Sequence, residues 1–325
     1  MTRQSPYRPF TPKPEQQALV PEVSGNTING LGEDQQRRPH MVYWAPDPDT
    51  IPHGQMQRWF YSVNADHPAL IRARAERQVI LDQPMREVAE TQIPRSPDDW
   101  TAALDQFVQD GLCEMTGVAE MRPEWVFDHH EVTQSRVIML GVQHDYGEIS
   151  KAPNPEAGGE VMRQYGRAAG AAKAVANWLR DHGWAAEPLA GSLTGKLTLI
   201  PPALECGFGE LGKHGSLINP EFGASFRLAA VLTDVPFAPT PRRDFGIDGF
   251  CAACRICEDA CPPVAIAPEK QTVRGTEKWY VDFDRCLPFF NETNGCGICI
   301  AVCPWSRPGV GLNLAAKLAR RASRD

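Results

Sequence analysis

The chain predicts a two-part protein of fold class α+β or α/β, a larger domain of helices and strands followed by a small cysteine-rich one. Three observations carry this. Eight of the ten cysteines crowd into the last quarter, as Cys251, Cys254, Cys257, Cys261, Cys286, Cys296, Cys299 and Cys303. Upstream, the apolar run 137–142 is followed by a polar loop and then a long helix-prone stretch from about Gly159 to Gly183, a strand–loop–helix pattern. A further strand is expected at 226–233, and the larger domain closes near Asp244.

Taken in order, residues 1–95 are rich in proline, with an aromatic patch at Trp59, Phe60 and Tyr61 and a charged, helix-prone stretch at 69–78, and are expected to wrap a core rather than form one. At Ser96 the signals sharpen. Ser96 is an N-cap, Pro97 stands at the first helical position and Asp99 where a capping acid belongs, and an apolar face of Trp100, Leu104, Phe107 and Val108 runs to a stop at Gly111. After the strand 137–142, the loop 143–159 and the long helix, a further strand is expected at 197–200 before Pro201 and Pro202. Glycines 207, 209, 212, 215 and 223 then free the backbone to turn at positive φ or to approach a ligand. A Gly/Ser linker would lack the anchors Leu211, Leu217, Ile218 and Phe222 found among them.

The cysteine spacing carries the chemistry. Cys251 to Pro262 reads C-x2-C-x2-C-x3-C-P, and Cys296 to Pro304 reads C-x2-C-x3-C-P with Cys286 upstream. Two [4Fe–4S] clusters are the natural reading, the last cysteine of each run ligating the other cluster as in two-cluster ferredoxins. One cluster then takes Cys251, Cys254, Cys257 and Cys303, and the other Cys286, Cys296, Cys299 and Cys261. Zinc also uses C-x2-C pairs, but the triplet places three thiolates too close for two tetrahedral sites. Disulfides need an oxidising compartment, toward which nothing directs this chain. Cys113 and Cys206 lie outside the runs and read as small buried hydrophobes.

No stretch approaches ~20 uninterrupted apolar residues, so no spanning helix is expected. Residues 1–32 hold no apolar segment of a secretory signal, and Arg37-Arg38 is followed by Pro39, Pro46 and Pro48 where an export signal needs an apolar run. A cytoplasmic protein without a membrane anchor is the expectation. The net charge of −7 across 325 residues disfavours a nucleic-acid partner.

Over residues 130–310 the sequence resembles the corrinoid-dependent reductive dehalogenases, with the epoxyqueuosine reductases more distant. The residues that carry this are Gly207-Phe208-Gly209-Glu210-Leu211-Gly212-Lys213, Leu217-Ile218-Asn219-Pro220-Glu221-Phe222-Gly223, the strand and turn from Arg227 to Pro236, and the closing run from Gly295 to Trp305. The resemblance implies a nitroreductase-like corrinoid-binding domain, 96–244, packed on a ferredoxin-like domain, 245–310, with 1–95 wrapping and a tail helix in 311–325. It implies cobalamin beside the two clusters, a small organohalide substrate and an external low-potential donor such as a ferredoxin, flavodoxin or reductase. No D-x-H-x-x-G sequence occurs, so the corrinoid would be base-off without a protein histidine on cobalt. The stretch 164–171 does not match the acid motif of the epoxyqueuosine reductases, and an electron-carrying ferredoxin with a docking domain is the other alternative.

Replacing carbon–halogen by carbon–hydrogen takes two electrons and one proton, so an acid is needed. The resemblance places it at Tyr165, expected at the start of the long helix, with Arg227 supporting it, since a cation beside a phenol makes its proton easier to give up. Tyr146, after Asp145, is the second candidate acid. Gly207, Gly209, Glu210, Gly212, Lys213, Gly215, Asn219, Pro220 and Gly223 are the expected corrinoid contacts, Lys213 reaching a phosphate or amide of its tail. His129, His130, His144 and His214 read as surface or hydrogen-bonding residues.

Overall fold

The computed structural model describes residues 6–189 and 195–323. Its main sheet has the order β1–β2–β6–β3, built from β1 (Met115–Glu120), β2 (Arg136–Gln143), β3 (Ala186–Leu189) and β6 (Phe226–Thr233). Two-stranded ribbons add β4 (Glu210–Leu211) with β5 (Leu217–Ile218), and β7 (Gln271–Val273) with β8 (Thr276–Lys278). The helix Pro155–Asp181 carries the chain from β2 to β3, and β6 inserts between those strands antiparallel to both. Every pairing is antiparallel, so of the two expected classes the fold is α+β.

The period of two in β2 divides its side chains between two cores. Ile138, Leu140 and Val142 pack with Ala229 and Val231 against Ala168, Ala172, Val175 and Leu179 of the long helix and Trp100 and Leu104 of helix Pro97–Val108. Val137 and Met139 face the other way, onto Trp125, Leu197, Cys206, Phe208 and Leu232. The Ser96 hydroxyl accepts from the Asp99 N–H, the expected N-cap, and Gly111 takes a φ of +79° just beyond the helix end.

Three expectations need correction. Residues 197–200 form no strand: Leu197 makes an isolated bridge to Val126, and Ile200–Glu205 is a helix whose first turn holds Pro201 and Pro202, where no N–H donor is needed. The long helix begins at Pro155, which moves Tyr165 from its start into its third turn. The N-terminal segment also helps to build a core. Val42, Tyr43, Met56 and Phe60 bury against Leu287, with Phe283 and Phe290 of helix Phe283–Glu292 around them. Among the described residues, no helix is long and apolar enough to cross a membrane.

Candidate functional site

The cysteines are presented by short helices joined through left-handed turns. Gly246, at φ +73°, opens helix Ile247–Ala253, which carries Cys251, and Cys257 lies on helix Ile256–Ala260. Asn294, Gly295, Cys296 and Gly297 all have positive φ, a costly run that persists only where surroundings fix it. The N-terminal segment fixes it here: the Asn294 amide donates to the Val63 carbonyl at 2.8 Å and accepts from Asn64 at 2.8 Å.

Cys251, Cys254, Cys257 and Cys303 line one small cavity, while Cys261, Cys286, Cys296 and Cys299 line part of a much larger one. No disulfide joins any of them. Burial pushes the thiols of Cys251, Cys257, Cys286 and Cys296 up to about 12 and that of Cys303 up to about 11, with neighbouring cysteines adding to the rise. Such a thiol would stay protonated without a compensating cation, and bound metal supplies that charge. Each quartet therefore fits a metal cluster in its donor chemistry.

The larger cavity, about 670 Å³, is lined by the N-terminal segment, the long helix and its sheet, and the cysteine-rich segment. Ile149, Ala157 and Met162 contribute from one side, Cys261, Cys296 and Ile298 from the other, and Tyr165 and Arg227 share its wall. The Arg227 guanidinium carbon lies 5.1 Å from the centre of the Tyr165 ring, within cation–π range. His144 and His214, not assigned to the site from sequence, also line the cavity and are buried. Burial and the Arg227 cation hold His144 well below the ordinary imidazole range, and both its ring nitrogens lack a partner. Burial brings His214 down to about 4; its Nδ1 accepts from the Ser216 N–H while its Nε2 has no partner. Their signals were present: His144 directly follows the apolar strand, and His214 lies within the glycine-rich passage. These unpartnered polar atoms in a roomy cavity fit a large polar cofactor.

Of the nine expected corrinoid contacts, only Gly215, at φ +75°, lines this cavity. Of the others, Glu210, Lys213, Pro220 and Gly223 meet residues of the cysteine-rich segment or the tail, and the rest meet nearer neighbours. Glu210 accepts from the backbone N–H groups of Phe245, Ile247 and Asp248, capping helix Ile247–Ala253. Gly207 meets the Pro241 carbonyl, Gly209 the Ile218 carbonyl and Gly212 the Ile218 side chain. Asn219 closes a turn by accepting from Glu221 and Phe222, and the Pro220 carbonyl packs on Gly311. Lys213 turns to the smaller cavity instead, its amine 3.5 Å from Glu258 and 5.2 Å from the Trp279 ring centre. Tyr146 is engaged elsewhere, donating its hydroxyl proton to the Ala301 carbonyl at 2.9 Å.

Gly223 has a φ of +60°, and a Cβ there would lie 2.3 Å from the Ser306 Cα. Gly223→Ala is expected to destabilise the protein by about 1–3 kcal/mol, through backbone strain and overpacking against Trp305 and Ser306. An unchanged denaturation midpoint would refute this.

Residues 250–306, which carry both cysteine quartets, match the 4Fe-4S dicluster domain family. The chain is 34% identical over 217 residues to the tetrachloroethene reductive dehalogenase of Desulfitobacterium hafniense, covering 63% of this chain and 39% of that protein. It is 30% identical over 190 residues to the corresponding enzyme of Sulfurospirillum multivorans, covering 56% and 37%. An epoxyqueuosine reductase of a Synechococcus species is 34% identical over 155 residues, covering 41% and 43%. The solved structure of a catabolic reductive dehalogenase in complex with 3-bromo-4-hydroxybenzoic acid superposes with a TM-score of 0.74 at 22% identity, over 91% of this chain and 46% of that one. In sequence and fold the chain is similar to the reductive dehalogenases, and it spans less than half the length of these proteins.

Proposed function

We propose that the protein is a reductive dehalogenase-like oxidoreductase that uses two [4Fe–4S] clusters and a corrinoid to replace halogen by hydrogen on an organohalide. The observation that carries this is that one cysteine quartet and the Tyr165–Arg227 pair line the same cavity, so sources of electrons and of a proton open onto one space. In this reading Cys251, Cys254, Cys257 and Cys303 hold one cluster, and Cys261, Cys286, Cys296 and Cys299 the other. Gly215, Ser216 and His214 would hold the corrinoid from one wall, and Arg274 and Lys278 from the β7–β8 ribbon.

When bound, a corrinoid supplies the low-potential metal chemistry that breaks the carbon–halogen bond. The chain's residues supply the rest. Tyr165 holds the proton at its hydroxyl, and Arg227 favours the phenolate left behind once that proton moves. Trp44, Phe60 and Phe290 form an apolar wall that excludes water. The sum is organohalide plus two electrons and one proton, giving the reduced product and halide. An external low-potential donor supplies the electrons.

Anaerobic reconstitution with iron, sulfide and cobalamin tests this. About eight iron and eight sulfide per chain are expected, with corrinoid absorbance surviving gel filtration. Bromide release from 3-bromo-4-hydroxybenzoic acid under strong reductant is the first activity to measure. Four irons, or bound zinc, would contradict the cluster assignment, and a protein that retains no corrinoid would be an electron carrier rather than this enzyme.

A further inference from the structure

We propose that Arg74 and Arg77 bind the anionic end of a halogenated aromatic acid, which makes an aryl carboxylate or phenolate the substrate class; this rests on the dehalogenase reading of the cavity. Both arginines project from helix Pro68–Asp82 and line the cavity. At a spacing of three they share a face of that helix, where like charges repel. Neither has an ion-pair partner among the described residues, and the Nε of each is buried without a hydrogen-bond partner. No Asp or Glu lines the cavity among the described residues. A guanidinium whose Nε is shut from water without a partner is costly, and a carboxylate or phenolate set between two of them answers both.

Their position favours the substrate over the cofactor. The helix bearing them packs on the long helix through its glycines: a Cβ at Gly159 would lie 3.0 Å from the Ala69 Cβ, and one at Gly166 would lie 3.3 Å from the Arg77 Cα. Gly166 adjoins Tyr165, so Arg77 lies beside the proposed proton donor. The Arg74 guanidinium stands 5.7 Å from the centre of the Tyr61 ring, and both arginines act electrostatically on the Tyr61 phenol. A substrate must reach Tyr165 to take its proton, so its charged end falls within this basic group. The aromatic wall accounts for the rest of the molecule. Trp44 meets Phe60 edge-on at 5.2 Å, and Phe60 stacks on Phe290 at 5.6 Å, a surface suited to a flat ring. The other basic pair, Arg274 and Lys278, belongs to the β7–β8 ribbon and lines the same cavity, where it would meet an anionic group of the corrinoid.

Calorimetry of the reconstituted protein with 3-bromobenzoate and its neutral isostere 3-bromobenzamide is the test. The wild type is expected to favour the acid, and the Arg74→Gln, Arg77→Gln double variant to bind it about 10-fold or more weakly while binding the amide as before. Arg77→Lys in place of Arg77→Gln should restore part of the loss. Corrinoid and iron contents should stay unchanged. Equal binding of acid and amide by the wild type, or an unaltered acid affinity in the double variant, would overturn the proposal. So would loss of corrinoid from the double variant with its preference for the acid intact, because the arginines would then serve the cofactor. Arginine-dependent binding without halide release would overturn the dehalogenase reading and leave the anion site standing.

Discussion

Tyr165→Phe is expected to retain iron, sulfide and corrinoid and to lower turnover by about 10²–10⁴-fold, the loss typical of a missing general acid. The retained contents follow from the geometry. The substitution removes one oxygen from a ring that still packs on the helix Pro155–Asp181, with Arg227 still over its face. The lost rate follows from the competition for the role. Tyr146, the other tyrosine considered as the acid, donates its hydroxyl to the Ala301 carbonyl and does not line the cavity. His144 does line it, but the burial and positive charge that depress its pKa leave it neutral, a poor source of a proton. Halide release under saturating reductant measures the effect, and near-normal turnover would move the proton to water. Arg227→Ala acts through the same phenol, so the double variant should fall by less than the product of the two single losses. Strict multiplicativity would assign Arg227 another task.

The parts of this site legible in the sequence were those set by local rules. The cysteine spacing and the prolines after Cys261 and Cys303 encode tight turns, and the two quartets read from that spacing are the sets the fold brings to two cavities. β6 was equally clear because Leu228–Leu232, mostly buried, reads as a continuous apolar run. What depends on distant partners was not legible. β1, with Thr116, Gly117 and Ala119 in its middle, is a strand because β2 lies beside it, register Val118 opposite Ile138. The glycine-rich passage signals close backbone approach, but sequence could not say to what. At Gly223 the neighbours are Trp305 and Ser306, and at Glu210 the start of helix Ile247–Ala253. Arg74 and Arg77 lie in the charged, helix-prone stretch 69–78, which suggested only a segment that wraps a core. Their exposure to the cavity is decided by the glycines of a helix some ninety residues away.

Cys286→Ser is expected to cost one cluster and spare the other, leaving about four irons per chain and abolishing multiple-turnover reduction by the donor. Cys286 lines the larger cavity, where burial raises its thiol and the neighbouring Cys296 and Cys261 add to the rise. The smaller cavity has Cys251, Cys254, Cys257 and Cys303 without it. The helix that carries Cys286 does not depend on the sulfur. Asp282 caps it by accepting from the Arg285 N–H, Asp284 accepts from the Gly25 N–H at 2.8 Å, and Leu287 and Phe289 are buried in the surrounding core. Serine therefore changes one ligand without unfolding its support. The lost turnover follows because this quartet, and not the other, shares the cavity with Tyr165. Iron analysis with electron paramagnetic resonance of the reduced protein checks the outcome. Loss of both cluster signals from a protein with unchanged circular dichroism would show that Cys286 is not confined to one quartet.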